Sequence, residues 1–456
     1  MKIAPLLIVT MIFLAIIPGC LEDNEEYTTE FMANGMKVIY RRTSGETASA
    51  ALFLKGGVRN LNKSNQGIEY FLFNLAIRGS EKYNKDELSA ELSKMGSRLG
   101  VDVDKDRMTI YLACPSKYFS ETWDIFVDVL LNPKLDENEC EIVREQLISQ
   151  AKFKRDHPDS RIWKVAGVQF FGSHPYSLEP RGTVECINRI KLRDLKECHS
   201  QNMATSNLLL VIVATEPERK IRQMVENAFG DLPEGNYKEG SLPEIPNILG
   251  LNVEQRKTAT NYVVGYWKGP DPWSEKYYKT QVTAQVLNYY LSYLLREEIP
   301  LAYEVSAALQ NKAEGYGYLY ITTIEPELAV QLMFASVSQL ALISFYYPDA
   351  MQDLIDSVVY TMETSYYSSK ESVLYQAFNL GWFELLGGGW ENEENYINYL
   401  KSVDAKDVGS SLSRWVKNVS FGMLGPARVD EEYFLGLNPE LAQKKISQVI
   451  SKKQVR

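Results

Sequence analysis

Histidine is nearly absent: His157, His174 and His199 are the only three in 456 residues. None has a second histidine three or four positions away, and neither HExxH nor HxxEH occurs. A hydrolytic zinc site takes neutral imidazole or carboxylate ligands, usually three, beside a general base. Scattered histidines exclude zinc hydrolysis with ligands from this chain's own side chains, and no metal is expected. GxSxG, the P-loop and GxGxxG are missing too, so no cofactor is expected. Positive charge is in deficit, with 49 Lys and Arg against 59 Asp and Glu. The resulting net charge of −10 argues against a nucleic-acid partner, which needs a basic face. Cysteine is sparse, and its spacing matches neither a zinc ribbon nor a CxxC redox site. Cys114, Cys140, Cys186 and Cys198 read as small buried side chains.

Past the first 20 residues no apolar run looks long enough to span a membrane. Those first residues are themselves distinctive. Lys2 precedes an almost wholly apolar run over 6–17, then Pro18-Gly19-Cys20 and the acidic Glu22-Asp23-Asn24-Glu25-Glu26. This is the pattern of an export signal. A small residue before Cys20 resembles the bacterial lipobox, which implies cleavage there and acylation of the thiol. The expectation is an exported, lipid-anchored protein of the cell envelope. Leu21 in place of the Asp of an inner-membrane retention signal favours an outer membrane if the cell has one.

The remainder is ordinary in composition, 45% hydrophobic and 24% charged, and long enough for two cores. Residues 1–20 are read as the signal, 21–30 as an acidic tether, 31–230 as a first domain and 256–450 as a second. The stretch 231–255, with Pro233, Gly235, Gly240, Pro243, Pro246 and Gly250, is read as a linker. Alternating or apolar runs predict strands over 36–40, 48–55, 107–113, 208–214, 262–267, 305–309, 318–323 and 421–424. Helical periodicity predicts helices over 68–75, 86–95, 216–229 and 274–298 and across most of 118–171 and 327–400. Strands and helices recur in one order in both parts, which predicts a duplicated α+β unit.

One stretch carries a family likeness. Gly67-Ile68-Glu69-Tyr70-Phe71-Leu72-Phe73-Asn74, followed by Arg78-Gly79-Ser80-Glu81-Lys82-Tyr83, resembles the zinc-site helix of the M16 metallopeptidases. Asn34-Gly35, Gly56-Gly57-Val58-Arg59, Asp156-His157-Pro158, His174-Pro175-Tyr176 and Gly182-Thr183-Val184-Glu185 follow in the family's order. That family includes pitrilysins, insulin-degrading enzyme and the mitochondrial processing peptidase. The resemblance implies an α+β fold of two tandem homologous domains, each an antiparallel sheet with packed helices, forming a clam-shell for extended peptides. It puts Tyr70 and Asn74 at the two histidines of the family's HxxEH and Phe73 at its glutamate base. Glu141 matches an earlier family glutamate, which puts Ile148 at the third ligand. All four positions are degenerate: a phenylalanine accepts no proton and an isoleucine coordinates nothing.

In the second half, Arg296-Glu297-Glu298-Ile299-Pro300-Leu301-Ala302-Tyr303 is similar to the family's LREK-x-G-LAY segment. There an Arg and a Tyr, seven residues apart, reach the substrate near zinc, and the resemblance gives Arg296 and Tyr303 that role. The usual glycine-rich segment before this helix reads Leu287-Asn288-Tyr289-Tyr290-Leu291 instead. A chain without zinc ligands but with the Arg/Tyr pair resembles the non-catalytic subunit of a two-chain M16 peptidase. The expected partner is a zinc-bearing homologue in a heterodimer, acting on extended peptides. The alternative is a peptide-binding or assembly scaffold of the cell envelope with no peptidase partner.

Overall fold

The computed structural model describes residues 26–436. Eleven strands among these residues form two sheets. The first contains β1 (Tyr27–Ala33), β2 (Met36–Arg42), β3 (Thr47–Lys55), β4 (Arg98–Val103), β5 (Arg107–Pro115) and β6 (Leu208–Ala214), in the order β1-β2-β6-β3-β5-β4. The second contains β7 (Leu251–Gln255), β8 (Asn261–Lys268), β9 (Ala302–Gln310), β10 (Tyr316–Thr323) and β11 (Ser420–Gly425), in the order β7-β11-β8-β10-β9.

The two orders are the same once β1 is set aside. In each half the last strand inserts parallel to the first of five and antiparallel to the second. The next two strands then form an antiparallel hairpin at one side. The duplication is thus written in the topology. Each sheet is antiparallel except for one parallel pair, β2 with β6 and β7 with β11. The interior strands β6 and β11 are buried along their whole length, because a helix covers each of them on the face away from its own half's core.

Two boundaries differ from the sequence reading. β1 starts at Tyr27, inside the stretch read as a tether, and pairs with β2 through an Asn34-Gly35 turn. β7 occupies 251–255, inside the stretch read as linker. Both strands lie at a sheet edge and are only partly buried, so neither has the apolar alternation that marks a half-buried strand. The signal, the lipobox and Cys20 lie outside the described residues. The long helix expected over 274–298 is α-helical from Glu275 to Ser292 and then continues as a π-helical turn, Tyr293–Glu298. The helix Pro326–Tyr346 is apolar and long enough to cross a membrane, contrary to the sequence reading, yet Leu328, Leu332 and Leu340 on it are core residues. The four cysteines are free and buried.

The halves exchange helices, which a boundary drawn along the sequence cannot express. The helix Pro158–Phe171, from the first half, packs on the second sheet, where Val165, Ala166 and Phe170 join Val264, Tyr266 and Leu424 in one apolar cluster. The helix Val373–Leu386, from the second half, packs on the first sheet, where Ala377 and Leu380 meet Ile39, Phe53 and Val211. Two glycines permit the close approach. A Cβ on Gly422 would stand 2.4 Å from backbone atoms of Ala166, and one on Gly381 would stand 2.3 Å from the Phe53 ring. Gly422→Ala is expected to destabilise the protein by about 1–3 kcal/mol through overpacking. Urea unfolding measures this; an unchanged midpoint would mean that the helix yields freely.

Polar latches ring these contacts. Asp106 accepts hydrogen bonds from the Tyr176 hydroxyl (2.5 Å) and the Ala313 amide (3.2 Å), and Lys312 reaches Asp104 at 2.9 Å. On the other side Arg41 of β2 pairs with Glu393 at 2.8 Å.

Candidate functional site

The helix Ile68–Ala76 carries three of the four degenerate positions, and the helix Glu137–Asp156 carries the fourth. Phe73 is fully buried in the first core and Tyr70 nearly so. Asn74 turns its amide back onto its own helix, donating to the Tyr70 carbonyl at 2.7 Å. Ile148 packs half-buried against the same core. This set offers no imidazole, carboxylate or thiolate to ligate zinc. Glu141 is exposed and paired with Arg144. Among the described residues no three His, Cys, Asp or Glu side chains are grouped to ligate a metal.

The histidines have other partners. His174 is buried, with Nε2 2.9 Å from the Pro243 carbonyl and Nδ1 accepting from the Tyr176 amide. Burial pushes its imidazole below the usual histidine range. His199 Nε2 lies 2.7 Å from the Leu130 carbonyl, and His157 stacks on Phe153.

Beside Tyr70 opens a cleft of about 770 Å³, a size suited to an organic ligand or a peptide segment. Its floor and walls include Tyr70, Phe153 and Trp163; its charged groups are Lys154, Asp159, Glu179 and Arg181. Trp163 is held by stacking on Tyr320 (centroids 5.6 Å apart) and by the edge of Tyr318, both on β10. Asp159 accepts a hydrogen bond from the Tyr320 hydroxyl. The cleft is therefore built by the first half and stiffened by the second. Lys154 pairs with Glu179 at 2.9 Å, and Arg181 lies over the Tyr70 ring while reaching Asp102 of β4 at 3.8 Å. β4 is the edge of the first sheet. An edge strand beside an aromatic cleft can take an extended peptide by strand addition, with side chains entering the cleft.

Sequence reasoning did not single out Trp163, Lys154 or Arg181. The signals were close: Arg181 precedes the Gly182-Thr183 stretch, and Asp159 follows His157-Pro158.

Arg296 and Tyr303 do not line this cleft. Arg296 sits in the π-helical turn, and π-helical turns concentrate at functional sites. Tyr303 sits on the edge strand β9 and is 90% exposed. Among the described residues neither side chain has a hydrogen bond or an ion pair. Tyr289 and Tyr293 are exposed at one- and two-turn spacings before Arg296, and Ile324 is exposed just past the end of β10 that pairs with Ala302. The segment that replaces the glycine-rich stretch is helical here, and Asn288 braces β9 by accepting from the Ala307 amide at 2.9 Å.

Comparison with known proteins agrees with this architecture. Residues 37–162 match the family model described as insulinase (peptidase family M16), and residues 189–343 match the model described as the peptidase M16 inactive domain. The chain is 24% identical over 235 residues to the mitochondrial-processing peptidase subunit beta of Caenorhabditis elegans, covering 49% of this chain and 51% of that protein. It is 25% identical over 231 residues to cytochrome b-c1 complex subunit 1 of the same organism, covering 51% and 48%. The chain thus spans about half the length of these curated relatives. A Rickettsia bellii protein described as an uncharacterized zinc protease is matched over 88% of this chain and 98% of its own, at 19% identity. Among solved structures, a peptidase M16 inactive domain from Pseudomonas fluorescens has a TM-score of 0.79 at 15% identity, covering 91% of this chain and 99% of that one. A protease from Helicobacter pylori has a TM-score of 0.77 at 16% identity, covering 88% and 100%. The two family models, on successive parts of one chain with this fold, place it in the M16 peptidase family.

Proposed function

We propose that this chain is a zinc-free M16 subunit that completes the substrate site of a zinc-bearing M16 partner, held at a membrane by a lipid on Cys20. The observation that carries the reading is that Arg296 and Tyr303 are exposed and unpaired among the described residues, with Tyr289, Tyr293 and Ile324 exposed on the neighbouring helix and strand end. Arginine and tyrosine with apolar neighbours are what protein interfaces concentrate. An Arg can bind a peptide carbonyl and a Tyr hydroxyl can donate to an oxyanion, but neither supplies a nucleophile. The chemistry at this face is half of a hydrolytic site. The metal half is wanting at Tyr70, Phe73, Asn74 and Ile148, so it comes from another chain. The two halves of this chain are already locked by exchanged helices, which leaves a second chain as the other wall of a peptide chamber. Similarity to a protein named as a processing-peptidase subunit favours the same reading. Two or three acyl chains, at about 0.8 kcal/mol per buried methylene, would hold the body at a membrane.

The test is purification of the full chain from native membranes, followed by assays for zinc and for cleavage of unfolded peptides. A co-purifying zinc-bearing M16 protein with chelator-sensitive activity is expected. Recovery of envelope proteins without any metallopeptidase would instead support the scaffold reading. That alternative draws on the likeness to a cytochrome b-c1 subunit and on the aromatic cleft beside β4.

A further inference from the structure

On the side of the helix Ile68–Ala76 away from the Tyr70 cleft lies a second cavity, of about 400 Å³. It is lined by that helix, the helix Leu192–Asn202, the loop through Asn60 and Asn65, and the loop through Tyr237. Glu69 lines it. Residue Glu69 is buried, at 5% relative exposure, and its side chain makes no hydrogen bond or ion pair among the described residues. Asn207 also lines it and is buried; its amide nitrogen donates to Asn202 Oδ1 at 3.0 Å, while its own Oδ1 has no partner.

Buried polar groups normally have partners, and an unpaired buried carboxylate is among the costliest groups a fold can carry. Here the Glu69 carboxyl and Asn207 Oδ1 face one cavity, and none of the side chains that line it donates to either. No lysine or arginine lines it; the titratable groups facing Glu69 are Asp194, Glu197 and Cys198 from the helix Leu192–Asn202 and Tyr237 from the loop. Asp194 already caps the Lys191 amide and Glu197 holds Gln201. The missing component is therefore a donor, positively charged, and small enough for the cavity.

We propose that this cavity binds an organic primary ammonium group, with the Glu69 carboxylate as its counter-ion and Asn207 Oδ1 as a further acceptor. An anion is repelled by three carboxyl groups. A metal ion lacks a ligand set, since no three candidate ligands are grouped among the described residues. An ammonium has three donors and no acceptor, which matches a carboxylate and an amide oxygen. Burial alone raises the empty Glu69 carboxyl to about 7, so below neutrality it is protonated until a cation arrives.

The ammonium can belong to a free alkylamine or to a lysine side chain of a bound polypeptide. Calorimetric titration of the full chain with 1,5-diaminopentane, and with a lysine-containing pentapeptide and its norleucine analogue, separates these. Binding of at least one amine is expected, weakened tenfold or more by Glu69→Gln, with no binding of pentan-1-ol or of the norleucine peptide. Tighter binding of the peptide identifies a polypeptide side chain; tighter binding of the diamine identifies a free amine. At pH 6 the wild type should release a proton on binding, seen as an enthalpy that changes with the buffer's ionisation heat. This second readout needs no variant to fold. Equal affinity in wild type and Glu69→Gln, an enthalpy independent of buffer at pH 6, or no heat from either amine would overturn the assignment.

Discussion

Glu393→Ala is expected to destabilise the protein by about 3 kcal/mol at neutral pH, because it leaves the part-buried Arg41 and Lys370 without their shared carboxylate. Glu393 is 2% exposed and gathers Arg41 of β2 (2.8 Å), Lys370 (2.8 Å), the Tyr366 hydroxyl (2.5 Å) and Asn379 (3.2 Å). Three of these partners come from the second half and one from the first, so the carboxylate is a latch across the exchanged helix Val373–Leu386. Burial alone would raise its pKa. The charge of Arg41 and hydrogen bonds from Lys370, Tyr366 and Arg41 outweigh burial and hold it at about 2. The direction of the pH effect follows. A carboxyl whose folded pKa lies below its unfolded value of 4.5 contributes stability above pH 4.5, and loses it as pH falls towards 2. The shift corresponds to roughly 3 kcal/mol at about 1.4 kcal/mol per unit. Unfolding midpoints of wild type and Glu393→Ala should therefore converge between pH 4.5 and 2. A gap that stays constant through that window would mean that lost packing, not the ion pairs, sets the cost.

Much of this fold was legible because its central strands and amphipathic helices carry simple periodicities. Leu208–Ala214 is an unbroken apolar run, and the structure makes it the buried, partly parallel strand β6. The helix Lys85–Met95 shows both ends in sequence: Asn84 and Glu87 form a capping box, and Gly96 stops it in the left-handed region. What was not legible is tertiary. Edge strands β1, β4 and β7 bury too little to show a pattern. The exchange of Pro158–Phe171 and Val373–Leu386 depends on contacts some 200 residues apart, which local periodicity does not encode. For the site, the family likeness directed attention to Tyr70, Phe73, Asn74 and Ile148, of which only Tyr70 lines the cleft. Two other groups that face the cleft, Trp163 and Arg181, are placed by Tyr320 and Asp102, so their role emerges only in three dimensions. Glu69 was one residue from the degenerate motif, and its significance lies in having no partner, which a sequence cannot display.

In the proposed complex with a zinc-bearing partner, Arg296→Ala and Tyr303→Phe are each expected to lower kcat/KM for peptide cleavage by roughly 10²-fold, the loss that follows removal of one oxyanion donor. Both side chains are exposed and unpaired among the described residues, so neither change should alter the chain's unfolding free energy by more than about 0.5 kcal/mol. That separation makes the result interpretable. Tyr303→Phe keeps the ring, and with it any apolar contact, while deleting one hydroxyl. A fall in kcat with an unchanged dissociation constant for the complex would assign the hydroxyl to the transition state. A weakened complex with unchanged turnover per complex would make the patch a docking surface and nothing more. Tyr289→Ala supplies the opposite control, because Tyr289 is 56% exposed one helical segment away and has no group that can reach a carbonyl through charge. It should loosen the complex before it affects turnover. If Arg296→Ala and Tyr303→Phe leave both affinity and turnover intact, the exposed pair is a relic like Tyr70 and Asn74, and the scaffold reading gains.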